Sequence, residues 1–447
     1  MTRLDRLALA LPFAVFLAIY GASVGHGFIA DDFGWILNSR VRSVHDLGTL
    51  FVTSSGFYRP VVGLTFAADY AAFGTSPTGY GLTNLLLACI CAALLFLVAR
   101  ELGLSDGAAL LAAALWLLNP HGINTATIWT SGRTSLLLTM GSLAAGLTLL
   151  RGHPFLALLP AGLALFSKEE AMALPAILLI WWVAFRREAA PSRWQIGAWL
   201  ACASLLVVTY LALRFQTGAM TAWTAPPYYR FTMSPRVVAV NVREYADRAL
   251  TFPAAVAALT WIVLRPARRH ELVSCQVALY GLSWIIGGYA LTVFLPVRSS
   301  LYACFPSAGA CLIAADIAGR CWKAAELRAR HRAAIAGIIV TLAMVPVYVL
   351  RNRTTIANAR FSTAALRELQ AATPGVPDGS IVVVVDDRTR RPNVETAFNM
   401  ALADAFELTS GRRLRFWVEP ELRQAKLAGL VPPCAGCVAA RIDLRGR

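Results

Sequence analysis

Charge is what this sequence lacks most. Asp, Glu, Lys and Arg make up 15% of its 447 residues, against about one quarter in a soluble globular protein. With 57% hydrophobic residues and a mean hydropathy of +0.58, the chain reads as a polytopic membrane protein. Acidic residues are the scarcer sign, 25 against 41 Lys and Arg, and the net charge is +16. That excess does not imply a nucleic-acid partner. The Arg residues fall in short loops between apolar segments, which is the positive-inside pattern. Paired cysteines are nearly absent too. Of nine Cys, all but two are scattered through or beside apolar segments, where packing accounts for them. Only Cys434 and Cys437 form a spaced pair. A zinc site needs more ligands, and no second pair or nearby His supplies them. Outside the cytosol a disulfide closing a small loop is the expected state. Internal repeats are missing. So is a good cleavage site after the first apolar run, because Gly21-Ala22-Ser23 is a poor one. The N-terminal stretch therefore reads as a retained first helix.

What the sequence has is long apolar runs. By length they predict about eleven spans: Leu7–Gly25, Tyr80–Ala99, Ala108–Leu118, Thr134–Leu150, Phe155–Phe166, Ala171–Phe185, Trp194–Leu213, Ala249–Leu264, Cys275–Leu295, Leu301–Ala318 and Ala333–Leu350. An N-terminus inside puts Arg186, Arg187 and Arg193, then Arg265, Arg268 and Arg269, then Arg320, Lys323, Arg328, Arg330 and Arg332 on the cytoplasmic side. Gly63–Phe73 is expected to lie along the outer surface, and Trp223, Tyr228 and Tyr229 to anchor at the interface. Asn352-Arg353-Thr354 matches the glycosylation sequon, a common triplet. From about Ile356 the composition changes to that of a soluble α/β unit. A helix is expected at Phe361–Ala371, a strand at Ser380–Val385 ending in a solvated Asp386-Asp387 turn, an amphipathic helix at Val394–Leu408 and a strand at Leu414–Val418. The expected fold is thus an all-α polytopic membrane protein with a small C-terminal α/β domain. Residues 1–355 form the membrane part and residues 356–447 the extracytoplasmic part.

Polar clusters gather on the outer side of this topology. Asp31 and Asp32 follow the first span, between apolar residues. Arg59 precedes the second. Asn119-Pro120-His121 and Trp129-Thr130-Ser131-Gly132-Arg133 follow the third, Ser167-Lys168-Glu169-Glu170 follows the fifth, and Arg298 and Tyr302 follow the ninth. Each alone has a bland explanation: a solvated loop, a snorkelling chain, or a capping box for Ser167 with Glu170. Charged groups near hydrocarbon are costly and tend to be functional, and their coincidence on one face outweighs the separate explanations. Arg and Lys there can hold a phosphate leaving group. A carboxylate can take a proton from an acceptor hydroxyl, with an oxocarbenium-like sugar between them.

At these residues the chain resembles the GT-C superfamily of membrane glycosyltransferases, and within it protein O-mannosyltransferase-like proteins, though without their tetratricopeptide repeats. The resemblance covers roughly Leu7 to Ala318. It rests on Asp31-Asp32, Tyr58-Arg59-Pro60 with Asp69-Tyr70, Gly79-Tyr80 with Asn84, Trp129 with Ser131-Gly132-Arg133, Ser167-Lys168-Glu169, and Tyr302 with Pro306-Ser307-Ala308-Gly309. The relatives' His-Glu before the Trp is here His121-Gly122, with no Glu. The resemblance implies a GT-C hexosyltransferase of the cell envelope, multi-pass in a bacterial inner membrane, acting on the extracytoplasmic face. It implies a polyprenyl-phosphate-linked sugar as donor and a protein or glycan as acceptor. Asp31 or Asp32 would be the base. Arg59, Arg133, Lys168 and Arg298 would meet the donor phosphate, and His121, Glu169 and Tyr302 the substrates. No metal ligand or cofactor is assigned, and a divalent ion is left open. A transporter or flippase for lipid-linked glycans is the alternative, but there is little sign of its expected marks, mid-span charges and repeat symmetry, since the charges lie at span ends.

Overall fold

The computed structural model describes residues 2–41, 43–53, 56–185, 191–221, 224–265, 273–427 and 429–445. Arg186, Arg187, Arg268, Arg269 and Trp223, named above, lie outside them. The chain begins with α1 (Arg3–Gly21), capped reciprocally by Thr2 and Asp5, whose side chains each accept the other's backbone N–H. Two short helices follow, α2 (Asp31–Asn38) and α3 (Val44–Thr49), then the apolar α4 (Pro60–Phe73). The long helix α5 (Pro77–Glu101) packs against both α6 (Asp106–Leu117) and α8 (Arg133–Leu150), and the short α7 (Ile123–Ile128) connects the last two. Next come α9 (Leu158–Leu165), α10 (Leu174–Ala184), α11 (Arg193–Gln216), α12 (Pro235–Ala246), α13 (Phe252–Leu264), α14 (Cys275–Tyr289), α15 (Ser307–Ala324) and α16 (Leu327–Ala372).

Seven helical runs among the described residues are long and apolar enough to cross a membrane, with α6 a shorter apolar helix. Length and hydropathy do not support the count of eleven. The eighth expected span begins early: α12, one π turn and α13 make a single run, Pro235–Leu264. The tenth begins late, at Ser307, because Ser300–Ala303 turns as a 3-10 helix and Pro306 precedes the α-helix. Small residues set the tightest helix contacts. A Cβ on Gly281 of α14 would lie 2.7 Å from the Gly309 carbonyl of α15, so these two helices meet backbone to backbone.

The largest departure is α16. The expected last span and the expected helix Phe361–Ala371 are one continuous helix of 46 residues, and residue 355 falls inside it. Asn352 of the sequon is buried there and accepts a hydrogen bond from Asn124 Nδ2 at 2.7 Å. After α16 come β1 (Ile381–Val385), α17 (Val394–Phe398), α18 (Leu402–Ser410), β2 (Arg415–Glu419), α19 (Arg423–Leu427) and β3 (Val438–Asp443). The sheet is parallel, in order β2-β1-β3. Central β1 buries Val382, Val383 and Val384, as a two-sided strand must. The single helix expected at Val394–Leu408 is broken at Asn399, whose φ is 53°. Asp386 is not solvated: it is buried and accepts the Val394 N–H at 2.8 Å. Cys434 and Cys437 are joined in a disulfide.

Candidate functional site

The loop from α1 into α2 is shaped by backbone that few residues adopt. Gly27 has φ 112°, and Ala30, without glycine's freedom, has φ 47°. The Ala30 N–H is held by the Ala397 carbonyl of the C-terminal unit at 2.8 Å. Asp31 and Asp32 then open α2, and neighbouring residues of a helix point about 100° apart. Asp32 is 1% exposed and turns inward. Its carboxylate accepts the Ser131 N–H at 2.7 Å, the Ser131 hydroxyl, and the Ile29 N–H at 3.0 Å. Burial outweighs these donors and raises its pKa to about 7. Asp31 keeps an accessible side chain. Enough protein surrounds it for burial to raise its pKa, with Arg59 countering part of the effect.

Arg59 stands at the head of α4. It grips Glu169 with two nitrogens, at 3.1 and 2.7 Å, and lies 4.2 Å from the Phe57 ring centre. Burial would raise the Glu169 carboxyl, but Arg59 holds it down at about 2. One residue earlier in the chain, Lys168 is 3% exposed. Its Nζ lies 2.7 Å from Glu170, donates to Ser135 at 2.9 Å, and sits 5.1 Å from the Tyr302 ring centre. The capping box read at Ser167 and Glu170 does not form: the Ser167 hydroxyl donates back to Leu163, and Glu170 serves Lys168. Tyr228 and Tyr229 lie within electrostatic reach of Asp31, and Tyr302 within reach of Glu169 and Glu170. These residues form one charged, aromatic-walled group.

Arg133 is elsewhere in purpose. It has no exposed surface, pairs with Asp69 at 2.7 Å, bonds Asn84 and the Tyr80 carbonyl, and faces the Phe66 ring at 4.2 Å. Asn84 in turn donates to the carbonyls of Ala126, Trp129 and Thr130. That network braces α4, α5 and the Ser131 turn and buries the guanidinium, with Nη1 alone lacking a hydrogen-bond partner among the described residues. Arg298 is the opposite case. It is exposed, its Nε donates to Asn241 at 2.7 Å, and among the described residues it has no carboxylate partner. His121 lies apart from these residues, 3.4 Å from Arg351 and within electrostatic reach of Arg248, Asp247 and Glu244. Gly122 (φ 73°) lets that loop press against Cys304, where a Cβ would come within 2.6 Å of the backbone N. Among the described residues no three His, Cys, Asp or Glu side chains converge as a metal site requires. Sequence reasoning missed Ser131 as the Asp32 anchor, Glu170 as the Lys168 partner, and Tyr228-Tyr229, which it assigned to the interface. The last had a usable signal: two adjacent Tyr after Pro226-Pro227, in the loop between α11 and α12.

No family model matches the chain. It is 36% identical over 128 residues to Protein O-mannosyl-transferase Tmtc1 of Drosophila melanogaster, a stretch covering 26% of this chain and 15% of that protein. The chain therefore spans only a small part of that curated relative. Among solved structures, ArnT from Cupriavidus metallidurans in the apo state aligns over 94% of this chain and 86% of its own, with a TM-score of 0.57 at 12% identity. ArnT bound to undecaprenyl phosphate aligns over 97% and 89%, with a TM-score of 0.51 at 13% identity. At such identity the likeness carries the fold. It is an ArnT-like fold, which agrees with the seven helical runs long and apolar enough to cross a membrane.

Proposed function

We propose, from the GT-C-like fold shared with ArnT, that this protein is an inverting membrane glycosyltransferase. It takes a sugar from a polyprenyl-phosphate donor and passes it to an acceptor hydroxyl, on a protein or glycan, at the extracytoplasmic face. The observation that carries this reading is the division of the acidic pair: Asp32 is spent on holding the loop, and Asp31 is left accessible beside Arg59. As the acceptor oxygen bonds to the sugar's C1, its proton passes to the Asp31 carboxylate. The bond from C1 to the phosphate oxygen breaks, and the phosphate leaves with the electron pair. Arg298, exposed and unpaired with any described carboxylate, is the cation best placed to meet that phosphate. Lys168 and Arg59, each neutralised by a glutamate, shape the wall of the site. Arg133 belongs to the buried brace. His121, Glu169 and Tyr302 remain the substrate contacts.

The placement of the site follows from charge. Arg193, Arg265, Arg320, Lys323, Arg328, Arg330 and Arg332 lie at helix ends opposite the acidic pair, which favours an N-terminus inside and the site outside. Residues 1–355 would be the membrane part of the enzyme and the α/β unit its extracytoplasmic part. The test is transfer by purified protein from a polyprenyl-phosphate hexose. Asp31→Asn should lower turnover about 10²- to 10⁴-fold while leaving donor binding intact. Unchanged turnover would refute the base assignment. Donor binding by the wild type with no transfer to any acceptor would favour a flippase.

A further inference from the structure

Far from the acidic pair, an apolar cavity of about 200 Å³ opens between α1, α6, α13, α15 and α16. It runs along α6 from Gly107 to Leu118, about 17 Å at the rise of a helix. That is roughly the span of one extended acyl chain in a leaflet about 15 Å thick. Its polar groups are at one end only. Thr260 and Thr341 line it, but their hydroxyls are satisfied by Val256 and Gly337 of their own helices. At the end where α1 begins, opposite Asp31, lie Asp5, Ser105 and Lys323. Asp5 is 7% exposed, its Oδ2 accepts the Thr2 N–H, and its Oδ1 has no hydrogen-bond partner among the described residues. Lys323 is exposed and has no ion-pair partner among the described residues.

A buried carboxylate oxygen left unsatisfied by the described residues and an unpaired ammonium, both lining one chain-length apolar groove, ask for a ligand with both charges. We infer that the groove holds a phospholipid of the zwitterionic phosphatidylethanolamine class. Its ammonium meets Asp5, its phosphate meets Lys323, and one acyl chain lies along α6. Among the described residues the opposite end of the groove offers no unsatisfied side-chain polar atom, so the headgroup is fixed at the Asp5 end. This site is separate from the donor site and does not rest on the glycosyltransferase reading.

Native mass spectrometry of the purified full-length protein should find one such lipid retained. Gly337 lines the groove, and nothing lies within 4 Å of where its Cβ would be. Gly337→Phe should therefore fill the groove without a clash and release the lipid. Gly197→Phe, equally unhindered on α11 and not part of the groove, should keep it. In thermal melts of delipidated protein, phosphatidylethanolamine should raise the Tm more than phosphatidylglycerol. Asp5→Asn should remove that preference, about tenfold in affinity for one charge-assisted hydrogen bond. Retained polyprenyl phosphate in its place, unchanged lipid in Gly337→Phe, a lipid-free dimer, or equal response to both lipids in the wild type would overturn the assignment.

Discussion

Two adjacent carboxylates differ in fate because helix geometry sends them apart and because Ser131 waits on one side only. The acidic pair itself was legible in the sequence, as two adjacent carboxylates after the first apolar run. Which one is anchored was not, because Ser131 is 99 residues away and nothing local marks it. The anchoring has a pH signature. Burial raises the Asp32 carboxyl to about 7, above its unfolded value of about 3.9. The native state thus holds a proton that the unfolded chain has shed over that interval. The resulting stability is full below about pH 4 and lost as pH rises through about 7. Asp32→Asn places an amide NH₂ against the Ile29 N–H and should cost about 1–3 kcal/mol at pH 5. That deficit, read as ΔTm against wild type, should shrink by pH 8. A deficit that grows with pH would contradict the assignment.

Lys168 shows the same limit of sequence reading. The sequence suggests a phosphate ligand because Lys168 is a cation at a turn expected on the outer side, but its neighbour Glu170 takes the charge within a buried pair. Removing one member of such a pair strands the other, at about 3–5 kcal/mol, whereas replacing both with apolar groups costs far less. Lys168→Met and Glu170→Met should each lower the denaturation midpoint strongly, and the double variant should recover most of it. Additive losses in the double variant would mean that the two charges are separately used.

At the scale of elements, long apolar helices were readable because twenty residues of hydrophobic run leave few alternatives in a membrane. Their ends were not, since the turns at Ser300–Ala303 and the π turn before Phe252 carry no distinctive composition. β3 was missed altogether. Val438–Asp443 alternates exposed and half-buried residues at a sheet edge, a weak pattern beside Cys434 and Cys437, which drew the reading. The seam between the C-terminal unit and α2 was also invisible, since it joins distant stretches. Phe33 stacks on Phe398 with centres 5.8 Å apart, Arg40 donates to the Leu408 carbonyl, and the Ser362 hydroxyl donates to Phe28. The α/β unit thereby holds the loop that carries Asp31. Phe398→Ala, a buried truncation worth about 3–5 kcal/mol, should speed amide hydrogen exchange across residues 28–38. It should lower kcat more than it raises KM. Exchange accelerated only within the C-terminal unit would show that the seam does not steady the loop.

For the molecule as a whole, composition alone pointed to the membrane class, and the order of the polar motifs pointed to the fold that ArnT shares. It did not give the way the two parts are joined. A composition change near residue 356 reads as a boundary, yet the backbone runs through it helically, because Ile356 to Ala372 keeps good helix formers and no breaker.

That unbroken α16 makes the joint a matter of phase. A flexible linker tolerates added residues, but a helix converts each one into about 100° of rotation and 1.5 Å of travel. One alanine inserted after Arg353 would turn the α/β unit by that angle about the α16 axis, swinging Ala397 and Phe398 away from Ala30 and Phe33. Four alanines would bring it back to within about 40°. Activity and the protection of residues 28–38 should therefore fall with one or two inserted alanines and partly return with four. Loss that simply deepens with each added residue would mean that the helix is not a shaft with an angular setting, but a tether.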